Sequence, residues 1–379
     1  MLPLNPNLKK VSLGVFLILG ASLVLLYSDL GSRIGGAGSS AGRPLQVALV
    51  QQASIPALDE GIAGVLDALK DRGYSDGGRI ALHRYNAEGD IATANAVATE
   101  VTSSDNDLIL SISTISLQTV SAANKRAARP RHHVFGIVTD PYSIGVGVSS
   151  ENHLLHPPYM TGIGSMPPIA ELFQLARQMR PGLKRVGLVW NPAEANSVIA
   201  TKAGRAVCSS MGIELVEANA ENATMVGDAV SSVLSRNAEA IWVSPDLTTG
   251  HGLDVIVRKA SLAKVPVFSS IPTERTSGTL FDLGANYHAI GYQIGKLAAD
   301  VLDGRDPATI PVENMTPSKL QINRLALKGL RDTWTIPESA LARADVVVDD
   351  AGRHAKSDPN TVAAADAKAA GIGSAPGKQ

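Results

Sequence analysis

The strongest constraint on this chain is an alternation between short apolar runs and amphipathic stretches of helical length, repeated from residue 45 to residue 343. The apolar runs are uninterrupted, as in residues 45–50 (LQVALV), 107–112 (DLILSI) and 185–190 (RVGLVW). Strands that are apolar on both faces are typical of a parallel sheet covered by helices on both sides. Strand–helix–strand units of this kind form right-handed crossovers. The pattern therefore predicts an α/β fold of doubly wound parallel sheets.

Three segments rich in Pro and Gly interrupt the alternation, at residues 155–168, 271–278 and 311–317. Such segments cannot continue a helix, and we interpret them as crossings of the chain between two lobes. Lobe 1 would then comprise residues 45–160 plus 279–309, and lobe 2 residues 164–272 plus 317–345. Two lobes joined by a three-crossing hinge can open and close as rigid bodies.

The two ends of the chain differ in composition from this region. Lys9 and Lys10 precede an apolar run at residues 11–27, which is typical of an export signal and places the following chain outside the cytoplasm, in the periplasm. No cysteine follows the run for lipid attachment, and no clear Ala-x-Ala site follows it. We favour an inner-membrane anchor over a cleaved signal for residues 1–43, with a Gly/Ser tether at its end, and we predict a disordered tail at residues 349–379.

Composition and motifs exclude several classes of function. The net charge of -1 and the 18% of charged residues predict no basic face for nucleic acid. The sequence contains no GxSxG, no GxxxxGK[ST] and no GxGxxG after a strand. The single cysteine, Cys208, has no neighbouring ligands for zinc. We therefore expect a protein that is not an enzyme and that needs no cofactor and no metal.

Polar side chains follow many of the predicted strands, at the edge where parallel sheets bind ligands. The candidate ligand-binding residues are Ser54, Thr114, Asp140, Asn191, Glu194, Asn196, Ser197, Asp246 and Ser270. Helix N-termini at this edge suit an anion, and Asp140 and Asp246 could pair with an amino group, so the set would fit a small zwitterion such as an amino acid. The same residue types are also the preferred N-caps of helices, and the sequence leaves both interpretations open.

Residues 47–59 (VALVQQASIPALD) resemble the tryptophan/tyrosine-type ABC transporter substrate-binding proteins, which have the type I periplasmic-binding fold. The resemblance extends from about residue 45 to residue 344. Further matching stretches follow in order at residues 85–90, 94–96, 113–114, 138–141, 191–197 and 265–268.

This resemblance implies a small molecule clamped between two lobes and delivered to an ABC permease that a separate ATPase powers. An aromatic or other amino acid is the expected solute. Carried over by residue, Ser54 and Thr114 would bind from lobe 1, with Asp140 beside them. From lobe 2 the ligand contacts would be Asn191, Glu194, Asn196 and Ser197. Asp246 falls near the family's Thr-Asp-Asn turn, which residues 244–248 (SPDLT) replace here, so the solute stays open. The alternative is a membrane-tethered sensing domain that uses the same clamshell to signal to a partner protein.

Overall fold

The computed structural model describes residues 43–273 and 278–356, and their helices and strands belong to the compact unit that begins at Leu45. The strands, numbered in chain order, are β1 (Leu45–Gln51), β2 (Ile80–Asn86), β3 (Leu108–Ile112), β4 (His132–Val138), β5 (Met160–Gly164), β6 (Arg185–Trp190), β7 (Glu214–Asn219), β8 (Ala240–Val243), β9 (Val267–Ser269), β10 (Phe281–Ala285), β11 (Glu313–Asn314), β12 (Ser318–Asn323), β13 (Val346–Asp349) and β14 (Gly352–Ala355).

Helices lie between most of these strands. They are α1 (Pro56–Asp71), α2 (Ile91–Ser103), α3 (Thr114–Arg126), α4 (Ile169–Met179), α5 (Ala195–Ser210), α6 (Val226–Ser235), α7 (Leu247–His251), α8 (Leu253–Leu262), α9 (Tyr287–Leu302) and α10 (Glu338–Arg343). Local sequence sets several of their ends. Pro56 occupies the first turn of α1, where its missing N–H costs nothing, and the Asp90 side chain caps α2 by accepting a 2.6 Å hydrogen bond from Thr93 N.

The strands form two sheets, and the α/β architecture of doubly wound, mostly parallel sheets is confirmed. The first sheet has the order β11-β5-β4-β3-β1-β2 and is parallel throughout. The second has the order β14-β13-β12-β10-β9-β8-β6-β7 and is antiparallel at two pairs, β10 with β12 and β13 with β14. We call each sheet with the helices packed on it a half of the molecule.

Each sheet is covered by helices on both faces, as the uninterrupted apolar strands require. In the first half, α1 and α9 cover one face, and α2 and α3 cover the other. In the second half, α4, α5 and α10 cover one face, and α6 and α8 cover the other. The largest side chain at the centre of the second half is Trp242, which meets Phe173 edge to face at 5.1 Å between ring centroids.

Within the described ranges the chain passes between the two halves at three places, and two of these differ from the predicted ones. The first crossing is residues 165–168, which is shorter than the predicted segment 155–168, because Met160–Gly164 forms the buried strand β5 of the first sheet. The sequence interpretation wrongly took the glycines of this strand as part of a crossing between lobes. They are required by close packing, since a Cβ on Gly162 would lie 2.4 Å from the carbonyl oxygen of Phe135.

The assignment of residues 279–309 to lobe 1 is wrong for the strand that it contains. Strand β10 pairs with β9 and β12 in the second sheet, so the described part of residues 271–278 joins two neighbouring strands of one sheet. The chain crosses instead at Asn286, and only the following helix α9 packs on the first sheet. The third crossing, residues 315–317, lies within the predicted segment and connects β11 of the first sheet to β12 of the second.

The predictions for the ends of the chain are tested only in part. Residues 349–355 are not a disordered tail, because the end of β13 pairs with β14 there in an antiparallel ladder from Val346↔Ala355 to Asp349↔Gly352. The remainder of the predicted tail, residues 357–379, lies outside the described residues, as does the predicted anchor at residues 11–27. Within the described ranges, no helix has both the length and the apolar character that crossing a bilayer requires.

Helices α1 and α9 approach each other closely because glycines line their contact. A Cβ on Gly291 would lie 1.9 Å from the carbonyl oxygen of Gly61, and a Cβ on Gly64 would lie 2.1 Å from that of His288. A Cβ on Gly295 would lie 2.4 Å from the carbonyl oxygen of Val65. These atoms belong to the backbone and cannot rotate away. Helix α9 can therefore cover the first sheet only while these positions remain glycine.

We expect Gly291→Ala to destabilise the protein by about 1–3 kcal/mol or more, because the added methyl group overlaps a backbone carbonyl. Urea denaturation followed by circular dichroism measures the effect. Gly182→Ala is the matched control, since an added Cβ there meets nothing within 4 Å, and we expect it to change stability by no more than about 0.5 kcal/mol. Equal stability of the two variants would contradict the close-packing argument.

Candidate functional site

A cleft lies between the two halves, at the carboxyl ends of the strands of both sheets. Its empty volume is about 590 Å³ when the part that opens to solvent is included. The first half contributes residues that follow β1, β3, β4 and β5, and the second half contributes residues that follow β6, β8 and β9. Ligands of open parallel sheets bind at this edge, so the cleft is the candidate binding site.

The first half brings the N-terminus of helix α3 to the cleft. Ser113 caps this helix, and its hydroxyl accepts a 3.2 Å hydrogen bond from Ser116 N. The amides of Thr114 and Ile115 precede the first intrahelical hydrogen bond, which runs from Leu117 N to Ser113 O. All three residues from Ser113 to Ile115 line the cleft. Unbonded N–H groups at a helix N-terminus favour an anion, such as a carboxylate.

Strand β4 reaches the cleft through a strained residue. Ile137 has φ +54, a left-handed conformation that a β-branched residue rarely adopts, and the pairing of β4 with β5 shifts register between Phe135 and Val138. The side chain of Ile137 lines the cleft and lies over Gly61, where any Cβ would be 2.0 Å from Ile137 Cδ1. Strain of this kind is typical of ligand sites, where the surrounding fold holds one side chain in a fixed position.

The second half contributes Glu194, a buried carboxylate that organises the turn before helix α7. Its Oε1 accepts hydrogen bonds from Thr248 Oγ1 at 2.7 Å, Thr248 N at 3.1 Å and Asn191 Nδ2 at 3.2 Å. Its Oε2 accepts one from Leu247 N at 2.8 Å and a longer one from Asn196 Nδ2 at 3.5 Å. The carboxylate therefore binds the free amides at the start of α7 and still faces the cleft.

Asp246 is a second buried carboxylate in the cleft lining, and it caps helix α7. Its Oδ1 accepts hydrogen bonds from Thr249 N at 2.6 Å and from Thr249 Oγ1 at 2.7 Å. Its Oδ2 accepts them from Ser197 Oγ at 2.9 Å and Ser244 Oγ at 3.0 Å. Burial, followed by the nearby charge of Glu194, raises the pKa of Asp246 from 3.8 to about 7.

No cationic side chain neutralises these two carboxylates within the described ranges, where the ion pairs join other residues. Buried charge without a partner is unfavourable, and the raised pKa of Asp246 is the response to it. The cleft therefore has a negative side, made by Glu194 and Asp246, and a side that favours anions, made by the start of α3.

The apolar part of the lining lies between these polar groups. It consists of Ile55, Leu58, Ile115, Ile137, Leu247 and Ile271, with Tyr287 at the start of α9. Leu247 belongs to the second half, but its side chain packs against the main apolar cluster of the first half. The cleft is thus closed in part by apolar contact.

The structure brings four of the nine predicted ligand residues together in the cleft lining: Thr114, Glu194, Asn196 and Asp246. The other five lie outside it and bond within their own turns or to neighbouring strands. Ser54 accepts a hydrogen bond from Asn86, and Asp140 accepts hydrogen bonds from Tyr142 N and Ser143. Asn191 donates hydrogen bonds to Glu194 and Thr248. Ser197 donates one to Asp246, and Ser270 accepts one from Trp242.

Several lining residues were missed by the sequence interpretation. Ser113 and Thr139 directly follow strands β3 and β4, and this position was the available signal for them. Tyr287 had no such signal, because it reaches the cleft through the unpredicted crossing at Asn286. The described residues contain no group of three or more His, Cys, Asp and Glu side chains that could hold a metal ion.

The fold and the cleft together define a class of protein, the solute-binding proteins of the type I periplasmic-binding fold. The sequence profile of a family described as ABC transporter substrate binding protein matches residues 46–348, and this chain belongs to that family. It is a family of binding proteins and not of enzymes.

Two relatives illustrate what the chain is similar to. A tyrosine-binding protein of Clostridioides difficile (strain R20291) is 28% identical over 284 residues, which cover 75% of this chain and 80% of the relative. The structure of an ABC domain from Streptococcus pneumoniae in complex with L-Trp is 25% identical, with a TM-score of 0.72, over 80% of this chain and 100% of the neighbour.

A second similar structure is that of a ligand-free, open substrate-binding protein from Clostridium difficile. It is also 25% identical, over 76% of this chain and 96% of the neighbour, but its TM-score is only 0.57. At equal identity, the present structure is therefore closer in shape to the L-Trp complex than to the open form.

The raised pKa of Asp246 predicts a pH dependence of stability. Its folded pKa of about 7 exceeds the ordinary 3.8, so its contribution to stability is fully present below about pH 3.8 and is lost as the pH rises through about 7. Asp246→Asn removes this titration. We expect the stability of the wild type relative to the variant to fall by up to about 1.4 kcal/mol per pH unit across that window. Urea denaturation from about pH 5 to about pH 8 measures it, and a pH-independent difference would contradict the assignment.

Proposed function

We propose that this protein is the extracytoplasmic binding component of an ABC importer and that it clamps an amino acid between two lobes. The observation that carries the proposal is the charge arrangement of the cleft. Two buried carboxylates that have no cationic partner among the described residues, Glu194 and Asp246, lie on its second-half side, and the N-terminus of α3 lies on its first-half side. A zwitterion complements both sides at once.

The proposed orientation follows from this arrangement. The ammonium group of the ligand lies toward Glu194 and Asp246, and its carboxylate accepts hydrogen bonds from the amides of Thr114 and Ile115. Neither Lys nor Arg lines the cleft among the described residues, so the helix N-terminus is the group available to a carboxylate. The apolar lining of isoleucine and leucine side chains then encloses the side chain of the ligand.

The relatives support an aromatic amino acid as the solute class. One of them is named a tyrosine-binding protein, and another was solved with L-Trp bound. The better superposition on the L-Trp complex than on the open neighbour supports a clamshell in which the present structure is the closed form. Binding in such a protein shifts the population toward the closed form, because only that form contacts the ligand from both sides.

The lobes of this clamshell correspond to the two halves, and the three crossings act as the hinge. Hydrogen bonds connect the crossings to one another. Met166 N donates to Asn314 Oδ1 at 3.3 Å, Thr316 Oγ1 donates to Met166 O at 2.8 Å, and Asn286 N donates to Pro317 O at 2.7 Å. Short segments bonded in this way let two rigid halves rotate with little rearrangement elsewhere.

The remaining parts of the proposal concern location and partners. The protein acts outside the cytoplasm, tethered to the inner membrane by residues 11–27, and it delivers its solute to a permease that a separate ATPase powers. The apolar run after Lys9 and Lys10 supports the tether, and membership of the family supports the transporter partners.

A thermal-shift and calorimetric titration of the full-length protein with L-tyrosine and L-tryptophan tests the proposed ligand class. A ligand at a hundred times its dissociation constant stabilises the folded state by about 2.7 kcal/mol, which raises the melting temperature measurably. We expect a shift with at least one of the two amino acids. If neither binds, while other solute classes do, the proposed ligand class is wrong.

Substitution of Glu194 tests the proposed orientation. We expect Glu194→Gln to weaken amino-acid binding by about 10–100-fold, because it removes a charge-assisted hydrogen bond to the ammonium group, worth about 1.5–3 kcal/mol. Asp140→Asn is the matched control, since it removes the same charge from a residue that bonds within its own turn, outside the cleft lining. Melting of each empty variant checks its fold, and equal affinities in the two variants would refute the orientation.

A further inference from the structure

The most unusual polar group outside the network described above is the side-chain amide of Gln52. The residue is completely buried, with 0% of its surface exposed. In the part of the chain that the structure describes, neither its Nε2 nor its Oε1 has a hydrogen-bond partner. Buried amides of native proteins are almost always bonded, because an unbonded one keeps the whole cost of leaving water. An apolar side chain would suit an empty, solvent-free position better.

Gln52 is not itself one of the lining residues, but the sheet register places it directly beside them. It directly follows β1, whose last residue, Gln51, pairs with Ile112 on one side and with Asn86 on the other. Gln52 therefore stands level with Ser113, the cap of helix α3, which lines the cleft.

On its other side, Gln52 is bonded to the loop that faces the second half. Its carbonyl oxygen accepts a 2.7 Å hydrogen bond from Gly89 N. A Cβ on Gly89 would lie 3.9 Å from Cδ2 of Leu247, a side chain of the second half. The residue is thus enclosed between the start of α3 and a loop that meets the opposite half.

We propose that Gln52 is a ligand-recognition residue whose Nε2 donates a hydrogen bond to the carboxylate of the bound amino acid. This inference rests on the proposed function, and it adds a side-chain donor to the helix N-terminus that receives the carboxylate. The ligand supplies the partner that the protein does not. The buried amide lowers the stability of the ligand-free protein, and it is retained because it donates a hydrogen bond to the ligand in the complex.

The alternative is that an ordered water bonds the amide whether or not a ligand is present. The two possibilities differ in what substitution does. If only water is bound, replacing the amide leaves ligand affinity unchanged. If the ligand is bound, the same replacement lowers affinity while the empty protein keeps or gains stability.

The test is Gln52→Met, which keeps the length of the side chain and removes its polar groups. Titration calorimetry of the full-length protein with L-tyrosine and L-tryptophan measures affinity, and thermal melting without ligand measures stability. We expect affinity to fall at least about tenfold, as for a lost hydrogen bond to a charged group, and the melting temperature of the empty variant to stay equal or rise.

Gln51→Met is the matched control. The neighbouring glutamine is partly exposed, and its amide already donates hydrogen bonds within the protein, to Ala53 O, Ser54 Oγ and Asp59 Oδ1. We expect its affinity to equal that of the wild type. A second variant, Gln52→Glu, keeps the shape and places a negative charge beside the ligand carboxylate, so it should bind more weakly than the wild type even if the Met variant folds poorly.

The outcomes separate this inference from the proposed function. Wild type that binds neither amino acid overturns the proposed ligand class, and the role of Gln52 with it. Wild type that binds, together with Gln52→Met and Gln52→Glu variants that bind equally well, overturns the role of Gln52 alone and favours the bound water.

Discussion

The backbone contact between α1 and α9 is the constraint on which the arrangement of the molecule depends. Helix α9 covers one face of the first sheet, yet the chain enters it from β10 of the second sheet through a single crossing residue, Asn286. The glycines at the contact let the two helices approach until a Cβ would overlap a carbonyl oxygen, so α9 has one position on α1. That position fixes Asn286 and, directly after it, Tyr287 in the cleft lining. The packing of the first half therefore determines both the position of a crossing and part of the candidate site.

Glu194 and Asp246 have a structural role in the cleft, and the proposed function gives the same groups a binding role. Glu194 and Asp246 hold the first turn of α7 by accepting hydrogen bonds from its amides and hydroxyls, which is the capping role expected of such residues. Capping alone does not require two carboxylates buried close together. One uncharged capping side chain would accept hydrogen bonds from the same amides without the cost of burying charge. Burial and the charge of Glu194 raise the pKa of Asp246, and a proton on this carboxylate compensates for part of the missing cation in the empty cleft. A ligand ammonium would take the place of that proton, which joins the capping network to the proposed binding.

The alternation of strand and helix was predictable because continuous apolar strands have few other stable environments than a covered parallel sheet. The positions of the crossings were less predictable. Strand β5 contains two glycines and follows two prolines, and only the close approach of Phe135 and Pro141 explains why glycine is needed there. Strand-end position identified Thr114, Glu194, Asn196 and Asp246 in the lining, but it also selected Ser54, Asp140, Asn191, Ser197 and Ser270. Side chains that cap a turn and side chains that reach a cleft have the same residue types, and their direction depends on the fold around them.

The turn Ser244-Pro-Asp-Leu bears on how the two halves meet. Leu247 stands after the aspartate in this turn and packs against the apolar cluster of the opposite half. In the proposed clamshell, an apolar contact between the halves would stabilise the closed form whether or not a ligand is present, because burial of Leu247 needs no polar partner. The ligand must then supply only the remaining difference in free energy between open and closed forms. In the proposed clamshell, affinity reflects the balance of both contributions, so Leu247 would influence binding through the contact that it makes between the halves.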